Sequence, residues 1–473
     1  MKKISLLIGL LVIVFAATAY AQPIEFKMSG FMDFVGAVFR DIPSGNNPVP
    51  YAGITGFEPD PNLGNNDKSG SLANSRARLK FQANAGKELS ATIFFEMDSA
   101  TWGDANGTRN SMGYWNADRA AVEVKHAFFD VAVPYFGVPV PTTVRFGIQP
   151  FAIRDTWLLY ADGAGITINS KMDPVNIKLM WAKPYEGKVY HSDDADMYAA
   201  DVSGTIEGFT LGAHGQYWNI NEYGLPTTVS AKGVPTPAQA DFYWLGAYAD
   251  GKWAGFNFNF DFIYDNGKIN YVDGTSGDAS GWMAALGVNF PWDIWDFGAG
   301  AWWATGHDFG DEDEEAYLQP PGSEPGPDAF TKYSSIYFGS GLFRGEYGYA
   351  ANGSRDAIGN GIGGTWGLMA YAGVKLAPWY KVYLHGMYLG DTTNDGNTIG
   401  FASDGEGGLR DDNAIGMEFT LSNIFKVYNN LDLYVIGGYM FAGDAMDQYN
   451  IAKDKNESVD DPWVIATRLV YSF

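Results

Sequence analysis

The stretch "FNFNFDFIY", Phe256 to Tyr264, puts Phe256, Phe258, Phe260, Phe262 and Tyr264 on one side of an extended chain and Asn257, Asn259 and Asp261 on the other. Successive side chains of a strand point to opposite faces, so this period of two predicts a strand with one apolar face and one wet face. The alternation recurs in both directions. "NSRARLKFQA" (74–83) sets Arg76, Arg78, Lys80 and Gln82 against Ala77, Leu79, Phe81 and Ala83. "VNIKLMW" (175–181) aligns Val175, Ile177, Leu179 and Trp181, and "AIGMEFTLS" (414–422) opposes Ile415, Met417, Phe419 and Leu421 to Gly416, Glu418 and Thr420.

Extended over the chain, this pattern predicts about 18 strands, in keeping with a transmembrane barrel. They fall near 24–40, 74–86, 88–98, 119–132, 142–149, 163–170, 174–183, 195–206, 208–218, 241–251, 253–264, 281–290, 294–305, 364–377, 379–390, 411–424, 430–442 and 462–473. Sixteen is the alternative, because 142–170 is weakly patterned. Short linkers such as "GTIEG" (204–208), "DGKW" (250–253) and "LAPWY" (376–380) alternate with long Gly-, Asn- and Asp-rich ones, of which 306–361 is the longest. An even strand count puts both chain ends at the short-turn rim. In "RAAVEVKHAFFDVAV" (119–133) Arg119, Glu123 and Lys125 share a face, but the polar set then moves to His126 and Asp130. Either a bulge near Lys125 or the end of a strand explains the change of phase.

Composition narrows the class. The chain has 473 residues, 59 of them glycine, 16% aromatic, and no cysteine, so disulfides and thiolate sites are excluded. Its net charge of -24 argues against nucleic acid as a partner. Lys2 and Lys3, the apolar run "ISLLIGLLVIVFAA" and "AYA" at 19–21 form the pattern of a secretory signal peptide over residues 1–21, which leaves 22–473 as one barrel domain. Beyond it, no apolar run is long enough for a transmembrane helix. The five histidines, His126, His191, His214, His307 and His385, sit in no nucleophile, zincin or phosphate-loop motif, which argues against an enzyme.

An open sheet cannot lie in lipid, since its edge groups would have no partners; a closed barrel pairs them all. Arginine on the lipid face near the midplane costs about 2–4 kcal/mol, so the row Arg76, Arg78, Lys80 belongs on a watery inner face. The chain ends in "WVIATRLVYSF", with Trp463, Ile465, Thr467, Leu469, Tyr471 and Phe473 on one face.

Taken together, the signal peptide, the strand and loop rhythm and the final "YSF" resemble the porins of Gram-negative outer membranes, through pattern rather than sequence words. That resemblance implies an all-β transmembrane antiparallel barrel with short periplasmic turns and long outer loops. It implies a water-filled channel for passive diffusion of ions and small hydrophilic solutes, with a substrate-preferring channel (phosphate, an organic acid or a sugar) or a structural, adhesive barrel as alternatives. It also implies a homotrimer in contact with lipid and lipopolysaccharide, with Ile465, Leu469, Tyr471 and Phe473 as the signal read by the barrel-assembly machinery. Porins narrow their lumen with a loop after the fifth strand. The matching stretch "PFAIRDTWLLYAD" (150–162) offers Arg154, Asp155 and Asp162 but is short for that role, and 306–361 could serve instead.

The residues assigned to the pore lining are Arg76, Arg78, Lys80, Arg119, Lys125 and Arg145, with the acids Glu96, Asp98 and Glu123 on neighbouring strands. They either set a transverse field across the narrowest part, as charged rings do in channels, or form interior ion pairs of little consequence for transport. The acidic run "DFGDEDEEAY" (308–317) reads as a solvated loop or as a place for calcium or magnesium, since hard cations take carboxylate oxygens; no resident cofactor is expected. Tryptophans near strand ends, among them Trp157, Trp253, Trp292, Trp302 and Trp379, fit an interfacial girdle, with a sugar-binding row as the alternative.

Overall fold

The structure, a computed structural model, describes residues 23–41, 69–104, 111–115, 117–133, 141–154, 157–187, 191–221, 237–271, 274–308, 311, 313–323, 331–339, 361–450 and 453–473. The strands are β1 (Ile24–Arg40), β2 (Ser69–Ala85), β3 (Leu89–Trp102), β4 (Ser111–Tyr114), β5 (Ala117–Ala120), β6 (Glu123–Ala132), β7 (Thr142–Ile153), β8 (Leu159–Met172), β9 (Val175–Tyr185), β10 (Ala195–Ile206) and β11 (Phe209–Ile220). They continue as β12 (Pro237–Trp253), β13 (Phe256–Tyr271), β14 (Ser276–Trp292), β15 (Trp295–Ala304), β16 (Thr365–Ala377), β17 (Tyr380–Asp391), β18 (Ala414–Tyr428), β19 (Leu431–Ala442), β20 (Gln448–Asn450), β21 (Lys455–Glu457) and β22 (Trp463–Ser472).

β4 and β5 make a small hairpin in the connection after β3, and β20 and β21 another in the last connection. The other eighteen strands form one antiparallel wall. β1 pairs with β22 from Phe31–Ser472 to Arg40–Trp463, so the sheet closes and has no continuous open edge. Closure is what lets a sheet keep its backbone groups paired in lipid.

One rim carries the short turns. Between β10 and β11 stand only Glu207 and Gly208, at φ 51° and 87°, and between β12 and β13 only Ala254 and Gly255, at 49° and 88°. Two left-handed residues in succession are what a type I′ hairpin needs to match the twist of its strands. β1 begins and β22 ends at this rim.

Every expected strand has its counterpart, including β7 and β8 in the stretch whose weak pattern suggested sixteen. The pattern is weak there because inward Phe151 and Ile153 are as apolar as outward Phe146 and Ile148. The change of phase on β6 is a bulge: Phe94 faces His126, Phe95 faces Val124, and Lys125 is the extra residue. One boundary was misplaced. Arg119 lies in β5, apart from the wall strand that begins at Glu123, because the chain makes a separate hairpin before entering the wall; its side chain is outside the described residues. The proposed signal peptide also falls outside them.

At the seam, Phe473 and Gly30 exchange backbone hydrogen bonds of 2.9 and 3.0 Å. A Cβ on Gly30 would lie 2.9 Å from the Phe473 ring, so glycine gives the terminal ring its seat. Ile465, Leu469, Tyr471 and Phe473 are all exposed on the outer face, whereas Arg468, on the opposite face, places its guanidinium 2.8 Å from the buried carboxylate of Asp33 across the seam. No helix among the described residues is long and apolar enough to cross a membrane.

Candidate functional site

The barrel is not an empty tube. Residues 313–323 and 331–339, from the connection between β15 and β16, lie inside it and are largely buried. The first segment begins by extending the sheet. Glu314 donates its N–H to Asp278 O at 2.9 Å and accepts from Ser280 N–H at 2.8 Å, along a part of β14 that reaches beyond β15. Further in, Leu318 donates its N–H to Asp265 Oδ2 at 3.0 Å, and its carbonyl accepts from Trp244 Nε1 at 2.8 Å. A loop inside a barrel carries backbone groups that need partners, and β12 and β13 supply both for this peptide. Gly281 lets the loop lie flush, since a Cβ there would collide with Ala316.

The second segment docks on the next strands of the wall, β15 to β18. Tyr333 stacks on Tyr383 with ring centres 4.4 Å apart and packs on Tyr371 at 4.8 Å. Tyr337 stacks on Trp302 and donates to Thr365 Oγ1 at 3.0 Å. Glu418, fully buried on β18, accepts from Ser334 Oγ, Thr420 Oγ1 and the N–H groups of Ser335, Ile336 and Tyr337.

The stretch 150–162 plays a smaller part than the resemblance suggested. Most of it is paired strand, with Pro150 opposite Asp162 and Ile153 opposite Leu159, leaving only a short turn between. Asp155 lies outside the described residues. Arg154, at the start of the turn with φ 44°, reaches across to β12 and β13. Its guanidinium stacks 4.3 Å over Tyr248, donates to Asp250 at 2.7 and 3.1 Å, and bridges to Asp261. The loop 313–323 then leans on this turn: the Trp157 carbonyl accepts from Tyr317 Oη at 2.6 Å and Gln319 Nε2 at 3.0 Å, and Leu158 O accepts from Ser323 Oγ at 2.8 Å. Trp157 and Trp302, expected in an interfacial girdle, are buried inside instead, because both pack against the inserted loop.

The charged residues of β2, β3 and β6 come together, and they come together paired. Arg76 donates to Asp98 at 2.8 Å and to Ser99 at 2.8 Å, and Arg78 is bonded to Glu96. Lys125, carried by the bulge, lies 3.2 Å from Glu96 and 2.5 Å from Asp162, and His126 also meets Asp162 at 2.8 Å. Lys80 continues the Arg76 and Arg78 face, and Glu123 stands opposite Glu96. Arg145 is apart from this group; it forks onto Asp130 at 2.7 and 3.0 Å over the Phe128 ring. The basic row is therefore interleaved with acids, and its field is short in range.

Acids gather on the loop rim. Asp308, Asp311 and Glu315 have carboxylate oxygens within 4.8 Å of one another and are the described residues that could share a hard cation. Asp308 also accepts from Asn394 N–H at 2.6 Å, which ties this loop to the one after β17. Burial, then Asp412, Asp308 and Asp395, push the Asp411 carboxyl above the usual range, and burial does the same to Glu314 against the pull of His307. Asp404 is held low by the N–H groups of Glu406 and Gly408.

The docking groups Glu418, Asp265, Trp244, Asp250, Asp261 and Tyr383 were not singled out in the sequence. A signal existed for two: Glu418 is the sole charge on the polar face of "AIGMEFTLS", and Asp261 is the sole charge on that of "FNFNFDFIY". Asp265 and Trp244 had none, because each is defined by a loop some fifty or more residues away.

No protein family and no curated protein matches the sequence. Solved structures do match. OpdK, an outer membrane protein from Pseudomonas aeruginosa, gives a TM-score of 0.49 at 9% identity over 94% of this chain and 98% of its own. OccK11 (OpdR) of the same organism gives 0.49 at 10% identity, over 94% and 96%. The crystal structure of OccAB4 from Acinetobacter baumannii aligns with a TM-score of 0.52 at 12% identity, over 95% of this chain and 98% of that one, so the chain shares its barrel fold nearly end to end.

Proposed function

We propose that this chain is a channel of a Gram-negative outer membrane, exported through a cleaved signal peptide over residues 1–21, for passive diffusion of ions and small hydrophilic solutes. The observation that carries the reading is a closed eighteen-strand wall with an apolar outer face and a charged, loop-narrowed interior. An outer row such as Leu245, Leu286, Leu368 and Leu384, each at least half exposed, suits lipid and no aqueous surface. Eighteen strands enclose room for an aqueous passage, which eight do not.

In this reading the passage runs beside the inserted loop, with Arg76, Arg78, Lys80, Glu96 and Asp98 along it and segments 313–323 and 331–339 narrowing it. Arg154 serves as the post that holds the turn after β7 rather than as a free charge in the stream. Ile465, Leu469, Tyr471 and Phe473 act as the assembly signal, and three copies associate. The apolar filling around Tyr317, Leu318 and Trp157 favours a second reading, a barrel whose loops bind a partner and whose lumen is closed. Current through single molecules in a planar bilayer separates them. Ohmic steps support the diffusion channel, steps blocked by one solute support a substrate-preferring channel, and silence from folded protein would overturn both.

A further inference from the structure

We propose that Glu418 is the latch of the inserted loop: its carboxylate fixes segment 334–337 against the wall and thereby sets the aperture of the passage. The inference rests on the channel reading above. Three consecutive N–H groups, those of Ser335, Ile336 and Tyr337, converge on this carboxylate at 2.7, 3.2 and 2.9 Å. Ser334 Oγ and Thr420 Oγ1 complete the set at 3.0 and 2.8 Å. Glu418 is fully buried, so no water replaces these donors while the loop is seated. A carboxylate accepts through several lone pairs at once, which a hydroxyl or an apolar side chain at this place could not do.

The rest of the wall is shaped for the same seat. Gly438 on β19 lies under Ser335, and a Cβ there would collide with its hydroxyl. Ser335 Oγ is also 2.7 Å from Thr420 Oγ1. Further grips on 331–339 include the Tyr333 stack, the Tyr337 contacts and the Phe338 ring set edge-on to Trp302, on either side of the stretch that Glu418 holds. The first half of the loop has its own clamp in Asp265 and Trp244, so loss of Glu418 should free 331–339 without ejecting 313–323. Glu418 is thus a positioning residue: it acts on solutes through the loop it holds.

The test uses full-length protein refolded into lipid, with folding checked by the shift in gel mobility on boiling. Glu418→Ala should give channels with higher mean conductance and loss of the single step size. Glu418→Gln, which keeps the volume but turns an amide NH2 toward N–H donors, should shift in the same direction and serves if the alanine variant does not assemble. The chain has no cysteine, so Ser335→Cys reports seating by thiol labelling with no current needed. It should be protected beside Glu418 and labelled once Glu418 is replaced. The pair Ser335→Cys and Gly438→Cys provides rescue. The added Cβ would lie 3.2 Å from that of residue 335, near the roughly 3.5–4.5 Å of a disulfide. Oxidation should restore the native step size to the Glu418→Ala channel, and reduction should release it. Wild-type conductance together with unchanged protection of Ser335→Cys in both Glu418 variants would overturn the latch. A silent wild type would overturn the channel reading, and with it the aperture role.

Discussion

Replacing Arg154 by methionine tests whether the turn after β7 is held by charge. The guanidinium is bonded to Asp250 and Asp261, and the two carboxylates differ in setting: the Asp261 side chain is 1% exposed, the Asp250 side chain 41%. The exposed pair is screened by water and should contribute about 0–1 kcal/mol. The buried one cannot be resolvated when its partner goes, and breaking such a pair costs about 3–5 kcal/mol. Arg154→Met should therefore destabilise the folded barrel by about 3–5 kcal/mol, nearly all of it from the buried Asp261 charge deprived of its arginine. Asp261→Asn on the same chain removes that charge and should recover most of the loss, a coupling of up to about 3 kcal/mol between residues in contact. Urea unfolding in lipid vesicles of the wild type, both single variants and the double variant measures the coupling. Additive losses, or an Arg154→Met midpoint within error of the wild type, would refute the argument and show that the turn is held by its packing alone.

Other expectations follow from the same geometry. Asn259→Cys should react with a water-soluble thiol reagent and Phe260→Cys in lipid should not, because neighbours on β13 face opposite sides of the wall; equal labelling would put the register in error. Removing Phe473 deletes the last backbone pair with Gly30 and the ring seated on it, a loss of about 2–4 kcal/mol at the seam, and should lower the folded fraction on unheated gels; undiminished folding would refute the closure argument. Asp411 and Glu314 are raised acids, so their charge is lost at higher pH than that of ordinary carboxylates. The acids of the loop rim should favour cations at low salt, and this preference should begin to fall, on acidification, before the usual carboxylate range is reached. Because the ionised form of Glu314 is disfavoured where the inserted loop is seated, that seating should tighten rather than loosen as pH falls through its raised value. A reversal potential constant until the ordinary range would count against this.

How much could be read in advance follows from the range of each interaction. All eighteen wall strands were legible because alternation is a property of neighbours: Phe258 and Asn259 declare opposite environments within two residues. The terminal pattern from Ile465 to Phe473 was legible for the same reason. Failures came where the inner face turns apolar, as at Phe151 and Ile153, or where a local hairpin interrupts the approach to a strand, as at Arg119. The basic row was visible on β2, but its pairing with Glu96 and Asp98 depends on the register of β2 against β3, which the alternation alone leaves open.

The sequence by itself determined that this chain is a β-wall with one face for lipid and one for water, and that both its ends lie at the short-turn rim. Only the tertiary structure decided what fills the inside. That 313–323 and 331–339 turn inward, that Glu418 and Asp265 receive their backbone, and that Arg154 grips Asp250 and Asp261 all depend on groups brought together across about 50 to 110 residues of chain. A carboxylate on an inner face has the same spelling whether it meets water, an arginine or a loop's N–H groups; closure of the barrel determines which of them it meets.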